Sequence, residues 1–407
     1  MFRTVDNHLF FSEHVGGDVL PVCAAMHNLT HKQLHNEITL DFTSATSFDA
    51  AFMVALSTIA RSYRGDMVHF DIILPRNTTQ ARLLRNANWL HLISPEKFED
   101  RTTANKNHFS AFQFLDVQQQ DLAVVRCIDV LMQRVEGLHR NKLKALEWSL
   151  TEVTDNVLNH AASPVGGVVQ AISRPTKHRV DFFVCDAGIG IPRSLRQGRP
   201  DIQDDTLAVK AAIEEGVTKN KTTNQGNGLF GTFKCCEVSG GEFEILTGNI
   251  RLTHSKTGLH VRRTTIPFHG TFIKASIDYS FDKLLEKALV FRGRPHDPAF
   301  DHVERFYQPH GEQIEVLVQT EFNSFGSREA GKLARTKIEN LMDSGHTPIM
   351  FDFNGIHLIS SSFADEVFGK LFAHLGPLRF GQLCQFRNVD STVQTLIDRA
   401  ISQRMRV

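Results

Sequence analysis

The longest helical pattern in the chain covers residues 122–162, where apolar residues recur at every third or fourth position. That spacing is typical of a helix with one apolar face. Towards its end, Glu152, Asn156 and His160 follow one another at intervals of four, so a helix would place them on one side. Such a row of a carboxylate, a carboxamide and an imidazole suits a polar site or a solvated surface stripe. These residues alone favour neither.

Strand patterns and glycine-rich turns follow this helix. Residues 168–173 and 180–185 are predicted to pair as a hairpin. The second strand ends in the stretch Asp186-Ala187-Gly188-Ile189-Gly190-Ile191-Pro192. The stretch Gly226-Asn227-Gly228-Leu229-Phe230-Gly231 then precedes an apolar helical run, and a later strand carries Gly270-Thr271. The glycines therefore predict two turns, one after a strand and one before a helix. At these turns the lack of side chains lets the backbone come close to neighbouring groups.

Alternating strand and helix patterns flank the central region and predict a small α/β layer on each side. On the N-terminal side, predicted strands at 38–42, 68–74 and 91–93 alternate with predicted helices at 48–63 and 81–90. On the C-terminal side, predicted strands at 314–319, 348–353 and 379–386 alternate with predicted helices at 327–342, 362–375 and 389–401.

Composition narrows the function classes. A length of 407 residues favours two to four domains. The 45 basic residues balance the 45 acidic ones, so there is no strong attraction to nucleic acid or to an anionic membrane. The six cysteines lack CxxC spacing, and no apolar run reaches the roughly 20 residues of a membrane helix. We expect a cytoplasmic protein that has no membrane partner and shows no strong signal for binding nucleic acid.

The central stretches, in this order, resemble the N box, G1 box, G2 box and Gly-Thr strand of the GHKL ATPase superfamily, which includes histidine kinases, gyrase-type enzymes and anti-sigma-factor kinases. One glycine motif is weak evidence, whereas four ordered motifs in matching strand and helix contexts are strong. The resemblance covers residues 121–277. It implies an α/β (α+β) fold with a Bergerat-type ATP-binding sandwich in the centre, and ATP and Mg²⁺ as ligands.

The resemblance also implies which residues recognise the base. Asp186 would accept a hydrogen bond from the exocyclic amine of adenine, because an ionised carboxylate is only an acceptor. Gly188 and Gly190 would let the backbone approach the base. Thr271 would place a hydroxyl near the adenine.

The phosphate end of the nucleotide is assigned in the same way. Asn156 would be the Mg²⁺ ligand, and Glu152 would be the base that activates the attacking nucleophile. Residues 216–225 resemble the ATP lid. The phosphates would face the N–H groups at the start of the next helix, where the implied binding residues are Gly226, Gly228, Leu229 and Gly231.

The flanking layers resemble STAS domains, the fold of anti-sigma-factor antagonists. The string SSFADEVFGKLF at 361–372 is the most recognisable part. By this resemblance Ser361 and Ser362 are possible phosphoacceptors, although Ser360 stands where the usual aspartate would be and Phe363 where the usual glycine would be. The other interpretation is that these serines cap the helix. The implied domains are STAS-like at 1–116, GHKL at 117–280, a linker at 281–313 and STAS-like at 314–407.

Three functions remain open at the level of sequence. The first is a Mg²⁺-dependent, slow ATPase that acts as a regulatory switch through its STAS-like modules on a protein partner, in stress signalling or phage defence. The second is an anti-sigma-type protein serine kinase that phosphorylates a STAS domain in cis or in trans. The third is an ATP-gated binding module without chemistry. A homodimer, formed through the long helix or the flanking modules, is compatible with each.

Overall fold

The computed structural model describes residues 2–102, 109–138, 140–214, 228–291, 294–295, 314–322, 324–343 and 348–405. The fold is of the mixed α+β class with several sheets. The chain divides into two compact units. The first comprises Met1–Cys127 with Trp148–His296, and the second comprises Ile128–Glu147 with Asp297–Val407.

The first unit begins with a small mixed sheet. The N-terminal strands are β1 (Phe2–Val5), β2 (His8–Phe11), β3 (His14–Val15), β4 (Glu37–Asp41), β5 (Ser47–Phe48) and β6 (His69–Ile73). Strands β1, β2, β4 and β6 form one sheet in that order, in which only β1 is antiparallel to its neighbour, and β3 pairs with β5. The predicted strands at 38–42 and 68–74 are thus present.

The helices of this region differ in part from the prediction. They are α1 (Leu20–His27), α2 (Ala50–Gly65), α3 (Thr78–Asn86) and α4 (Trp89–Ile93), with a π-helical turn at Asn28–Lys32. Helix α2 begins after Asp49, whose carboxylate accepts the Phe52 N–H at 3.0 Å. The predicted strand at 91–93 is wrong, because Asn88 takes a left-handed conformation at φ +66° and starts a new helical turn there.

A second, antiparallel sheet forms the centre of the first unit. Its strands are β7 (Phe112–Phe114), β8 (Gly167–Arg174), β9 (Arg179–Asp186), β10 (Phe243–Ser255) and β11 (Gly258–Asp278), in the order β10-β11-β9-β8-β7. The pairing of β8 with β9 confirms the predicted hairpin. Strand β11 carries Gly270 and Thr271 next to the end of β9.

The helical pattern predicted at 122–162 is present in the structure as more than one element. Two helices, α5 (Val117–Arg134) and α6 (Arg140–Asn156), are followed by a π-helical turn at Val157–Ala161. The chain turns between the helices at Gly137, where φ is +69°.

The remaining helical elements of the first unit are the 3-10 turn Pro175–Lys177, α7 (Ile191–Arg196), α8 (Asp205–Ala211), α9 (Gly228–Val238) and α10 (Leu284–Ala288). Two short strands, β12 (Val290–Phe291) and β13 (Arg294–Pro295), pair with each other.

The two larger sheets of the first unit share one apolar core. Core residues of the N-terminal region pack together with residues of the antiparallel sheet, which are Val168, Phe183, Cys185, Leu246, Phe268 and Phe272. A buried polar contact spans the same boundary, since the Trp89 indole N–H donates to Gln170 Oε1 at 3.0 Å. The N-terminal layer therefore covers one face of the antiparallel sheet.

The second unit is built on a parallel sheet. Its strands are β14 (Ile314–Leu317), β15 (Ile349–Asp352) and β16 (Cys384–Arg387), and its helices are α11 (Val318–Glu321), α12 (Arg328–Asp343), α13 (Ser361–Ala364), α14 (Lys370–Leu383) and α15 (Ser391–Arg404), with a π-helical turn at Asp365–Gly369. The predicted strand at 379–386 is wrong in its first half. Helix α14 resumes after a break at Gly376, where φ is +76°, and continues to Leu383.

In the part of the chain that the structure describes, no helix combines the length and apolarity needed to cross a membrane.

Candidate functional site

Asp186 lies at the end of β9 and is 4% exposed. Its Oδ1 accepts the backbone N–H of Gly188 at 2.8 Å, and it pairs across the sheet with Thr271 on β11. Burial raises the pKa of this carboxyl to about 7, while hydrogen bonds from the Gly188 N–H and from the backbone and hydroxyl of Thr271 oppose the rise. Asp186 is therefore a buried carboxyl that changes charge near neutral pH.

The turn after β9 is packed too closely for side chains. A Cβ on Gly188 would lie 2.0 Å from the carbonyl oxygen of Ala161, and the Ile189 N–H donates to that same oxygen at 2.8 Å. Gly190 has φ +77°, a conformation in which only glycine is unstrained. The turn after β9 therefore lies close to the π-helical turn that follows α6. The approach of its backbone to a base stays a prediction.

Gly270 brings β11 equally close to the end of β9. It has φ +93°, and a Cβ there would lie 2.1 Å from the carbonyl oxygen of Asp186. Thr271 follows directly and is 8% exposed. The structure therefore brings together Asp186, Gly188, Gly190, Gly270 and Thr271, as the motif order predicts.

Glu152 forms a second part of the site with the start of α9. Its side chain is half-buried on α6, and a Cβ on Gly228 would lie 2.2 Å from its Oε2. Burial, and to a lesser degree the nearby charge of Asp155, raises the pKa of Glu152 to about 7. A carboxylate with such a pKa is suited to take up and release a proton at neutral pH. It also lies at the positive end of a helix, where anions are favoured.

Asn156 is half-buried at the last position of α6, one turn after Glu152. Among the described residues, no three His, Cys, Asp or Glu side chains form a group that could hold a metal ion. Asn156 offers one carboxamide oxygen, and Mg²⁺ commonly takes few protein ligands and keeps several waters or phosphate oxygens. His160 lies in the π-helical turn, so the regular four-residue spacing ends at Asn156.

Helix α9 begins with the second half of the predicted phosphate-binding stretch. Gly228 and Leu229 are half-buried in its first turn. A Cβ on Gly231 would lie 2.2 Å from Cη2 of Trp148, so this glycine lets α9 pack against α6. Gly226 and the predicted lid at 216–225 lie outside the described residues.

One residue of the site gave no signal in the sequence. Thr247 on β10 is fully buried, and its hydroxyl contacts both the turn after β9 and the carbonyl of Gly270. Threonine is common in strands, so a single threonine within an apolar strand pattern carries no sign of a further role. Only the pairing of β10 with β11 places it beside Asp186 and Thr271.

The three serines of the second unit have different surroundings. Ser360 caps α13, since its Oγ accepts the Phe363 N–H at 3.0 Å. Ser361 is exposed and Ser362 is half-buried. The capping interpretation is therefore correct for Ser360, and Ser361 has the hydroxyl most accessible to solvent.

Comparison with protein families identifies part of the second unit. Residues 330–394 match the family model described as "STAS-like domain of unknown function (DUF4325)". No curated protein matches the chain. The expectation of a STAS-like module is thus confirmed for this region. The STAS resemblance of residues 1–116 and the GHKL resemblance of the centre stay predictions.

Proposed function

We propose that the first unit binds ATP with Mg²⁺ and hydrolyses it slowly, and that this reaction acts as a regulatory switch for the STAS-like region. The observation that carries the proposal is the arrangement around Asp186. A buried carboxyl stands at a strand end between two glycine turns, and the Gly188 N–H already occupies one of its oxygens. The second oxygen suits a donor such as the adenine amine.

The phosphate side is supported by the pairing of Glu152 with the start of α9. Backbone N–H groups at a helix start attract phosphate. The absence of a side chain at Gly228 brings the Glu152 carboxylate to the start of α9. Glu152 would accept the proton of the attacking water, and Asn156 would hold Mg²⁺, which neutralises phosphate charge when bound.

The switch is supported by helix α6, which contains residues of both units. The helix begins at Arg140, among residues that belong to the unit with the STAS-like region, and ends at Asn156. ATP shifts such a switch only if it binds one state more tightly than the other. The partner expected for the STAS-like region is another protein.

A second candidate function is transfer of the γ-phosphate to a STAS-like serine, in cis or in trans. The observation that favours it is the exposed hydroxyl of Ser361 within the region that matches the STAS-like family. A phosphoserine at that position would lie at the start of α13, where its charge is favourable.

The first test is a titration of the full chain with ATP and Mg²⁺ by calorimetry. We expect binding to the wild-type protein and at least tenfold weaker binding to Asp186→Asn. The amide would point its NH₂ group towards the adenine amine and would set donor against donor. The control is Asp66→Asn, which removes an exposed carboxylate after α2 and is expected to leave affinity unchanged. Equal affinity in all three proteins would overturn the assignment of the site.

A further inference from the structure

Thr247 lies where the pairing of β10 with β11 becomes irregular. It pairs with Thr271, but the register shifts between Thr247 and Gly248. Its side chain is fully buried. The pairing of β11 passes over Gly270 at this point, and a Cβ on Gly270 would lie 2.1 Å from the carbonyl oxygen of Asp186. A buried polar group here must find its partners within the site.

The Thr247 hydroxyl joins two segments of the base-recognition site. It donates to the carbonyl oxygen of Gly270 at 2.8 Å and accepts the N–H of Ile191 at 3.1 Å. One contact fixes the β11 turn, and the other fixes the turn after β9. A Cβ on Gly190 would lie 2.7 Å from Thr247 Oγ1, so the hydroxyl also fills the space above that glycine.

The direction of these hydrogen bonds constrains Thr271. A hydroxyl has a single hydrogen, and that of Thr247 is directed to the Gly270 carbonyl. The single hydrogen of the Thr271 hydroxyl is directed to the Asp186 carboxyl. With both hydrogens engaged, Thr247 Oγ1 and Thr271 Oγ1, which are 3.4 Å apart, share no hydrogen bond. Thr247 therefore acts on Thr271 through the carbonyl of the preceding residue, Gly270, which its hydroxyl holds in place.

We propose that Thr247 is a positioning residue that gives the site its preference for a purine with a 6-amino group over one with a 6-oxo group. It acts through Gly270, Ile191 and Thr271 and holds the carboxylate oxygen of Asp186 as an acceptor at a fixed place. The inference rests on the proposed ATP binding. It adds the residue that determines base selectivity.

The test compares the dissociation constants of ATP and inosine triphosphate, which differ at the 6-position of the purine. The wild-type protein is expected to prefer ATP at least tenfold. Thr247→Val keeps the shape and removes the hydroxyl, and we expect the preference to fall at least fivefold. Thr247→Ser restores the hydroxyl and is expected to keep the preference within twofold of the wild type. A purely structural role would weaken both nucleotides equally and leave their ratio unchanged, which would overturn the inference.

A second variant covers the case in which Thr247→Val does not fold. Ile191→Pro removes the N–H that donates to Thr247, and proline suits the first position of α7. We expect the preference for ATP to fall in this variant as well, and an unchanged ratio would overturn the inference. Absence of ATP binding by the wild type would contradict the proposed function. Binding of ATP and inosine triphosphate with equal affinity would contradict recognition of the 6-amino group by Asp186 and Thr247, but not nucleotide binding itself.

Discussion

Two carboxyl groups on the first unit change charge near neutral pH because the fold removes them from water. Asp186 ends a central strand, and Glu152 lies under the first turn of α9. Burial is the main cause of the raised pKa of both groups. Perturbed carboxyls of this kind concentrate at functional sites, because binding and catalysis need groups whose pKa is matched to their task.

The raised pKa of Asp186 predicts a specific dependence of stability on pH. Its pKa rises from an ordinary value of 3.8 to about 7 in the folded protein. The folded state therefore holds the proton more tightly than the unfolded chain does. The stabilisation is complete below pH about 4 and is lost as pH rises through about 7.

Asp186→Asn has no carboxyl to titrate at this position. As pH rises from 5 to 8, the free energy of unfolding of the wild type is therefore expected to fall relative to that of the variant. Urea unfolding of both proteins at several pH values checks the difference. Asp66→Asn serves as the exposed control. A constant difference between Asp186→Asn and the wild type across this range would contradict the burial of an ionisable carboxyl.

The sequence predicts some residues of the site and gives no signal for others. Asp186 and the glycines around it follow a strand in a fixed order, which made the turn predictable. Thr247 could not be found in this way, because its role depends on a register shift between β10 and β11. Long-range pairing of strands leaves no local signal in the chain.

At the scale of elements, the approach of α9 to α6 depends on two glycines. Gly231 admits Trp148, and Gly228 admits the carboxylate of Glu152. The sequence predicted that a helix starts here after a glycine-rich stretch. It could not predict which side chain occupies the space above Gly228, because that contact joins residues 76 positions apart.

Gly228→Ala is predicted to lower ATP turnover at least tenfold, because the added Cβ would meet Glu152 Oε2 at 2.2 Å and displace the carboxylate. Steady-state phosphate release checks this effect. Gly65→Ala is the matched control, since a Cβ there meets no atom within 4 Å. Wild-type turnover in Gly228→Ala would contradict the contact between Glu152 and α9.

Helix α12 of the second unit packs on the end of α5 through polar contacts. Lys337 is 1% exposed, and its Nζ lies 3.1 Å from Asp129 and 2.6 Å from Glu321. Asn340 Nδ2 donates to the carbonyl oxygens of Met132 and Val135 at 2.7 and 2.9 Å, which satisfies groups at the helix end. Residues 128–147 are therefore part of the structure of this unit, outside the range that matches the STAS-like family.

Asp129→Ala is predicted to destabilise the second unit by about 2 kcal/mol, because the buried ammonium of Lys337 loses the Asp129 carboxylate and keeps that of Glu321. Hydrogen-exchange protection of β15 reports on this unit directly. The matched control is Glu136→Ala, whose partner Lys332 is exposed, and a loss below about 0.5 kcal/mol is expected there. Equal losses in the two variants would contradict a structural role for the Lys337 contacts.

At the scale of the whole molecule, the chain forms two compact units. The division into two STAS-like domains, a GHKL domain and a linker stays a prediction. Alternating strands and helices predicted the small layers, because periodicity is a local property. The shared core of the N-terminal region and the antiparallel sheet was not predictable, because both surfaces consist of ordinary apolar residues. The N-terminal layer is therefore part of the unit that carries the candidate site.

The central claim is that the first unit hydrolyses ATP with Glu152 as the base. It is tested most directly by incubating the full chain with γ-labelled ATP and Mg²⁺ and counting free and protein-bound phosphate separately. We predict free phosphate from the wild type and a loss of about a hundredfold in Glu152→Gln, with ATP binding retained. Equal release by both proteins would contradict the role of Glu152. Label on the protein that disappears in Ser361→Ala with Ser362→Ala would establish the kinase instead, and no phosphate in either form would contradict both reactions.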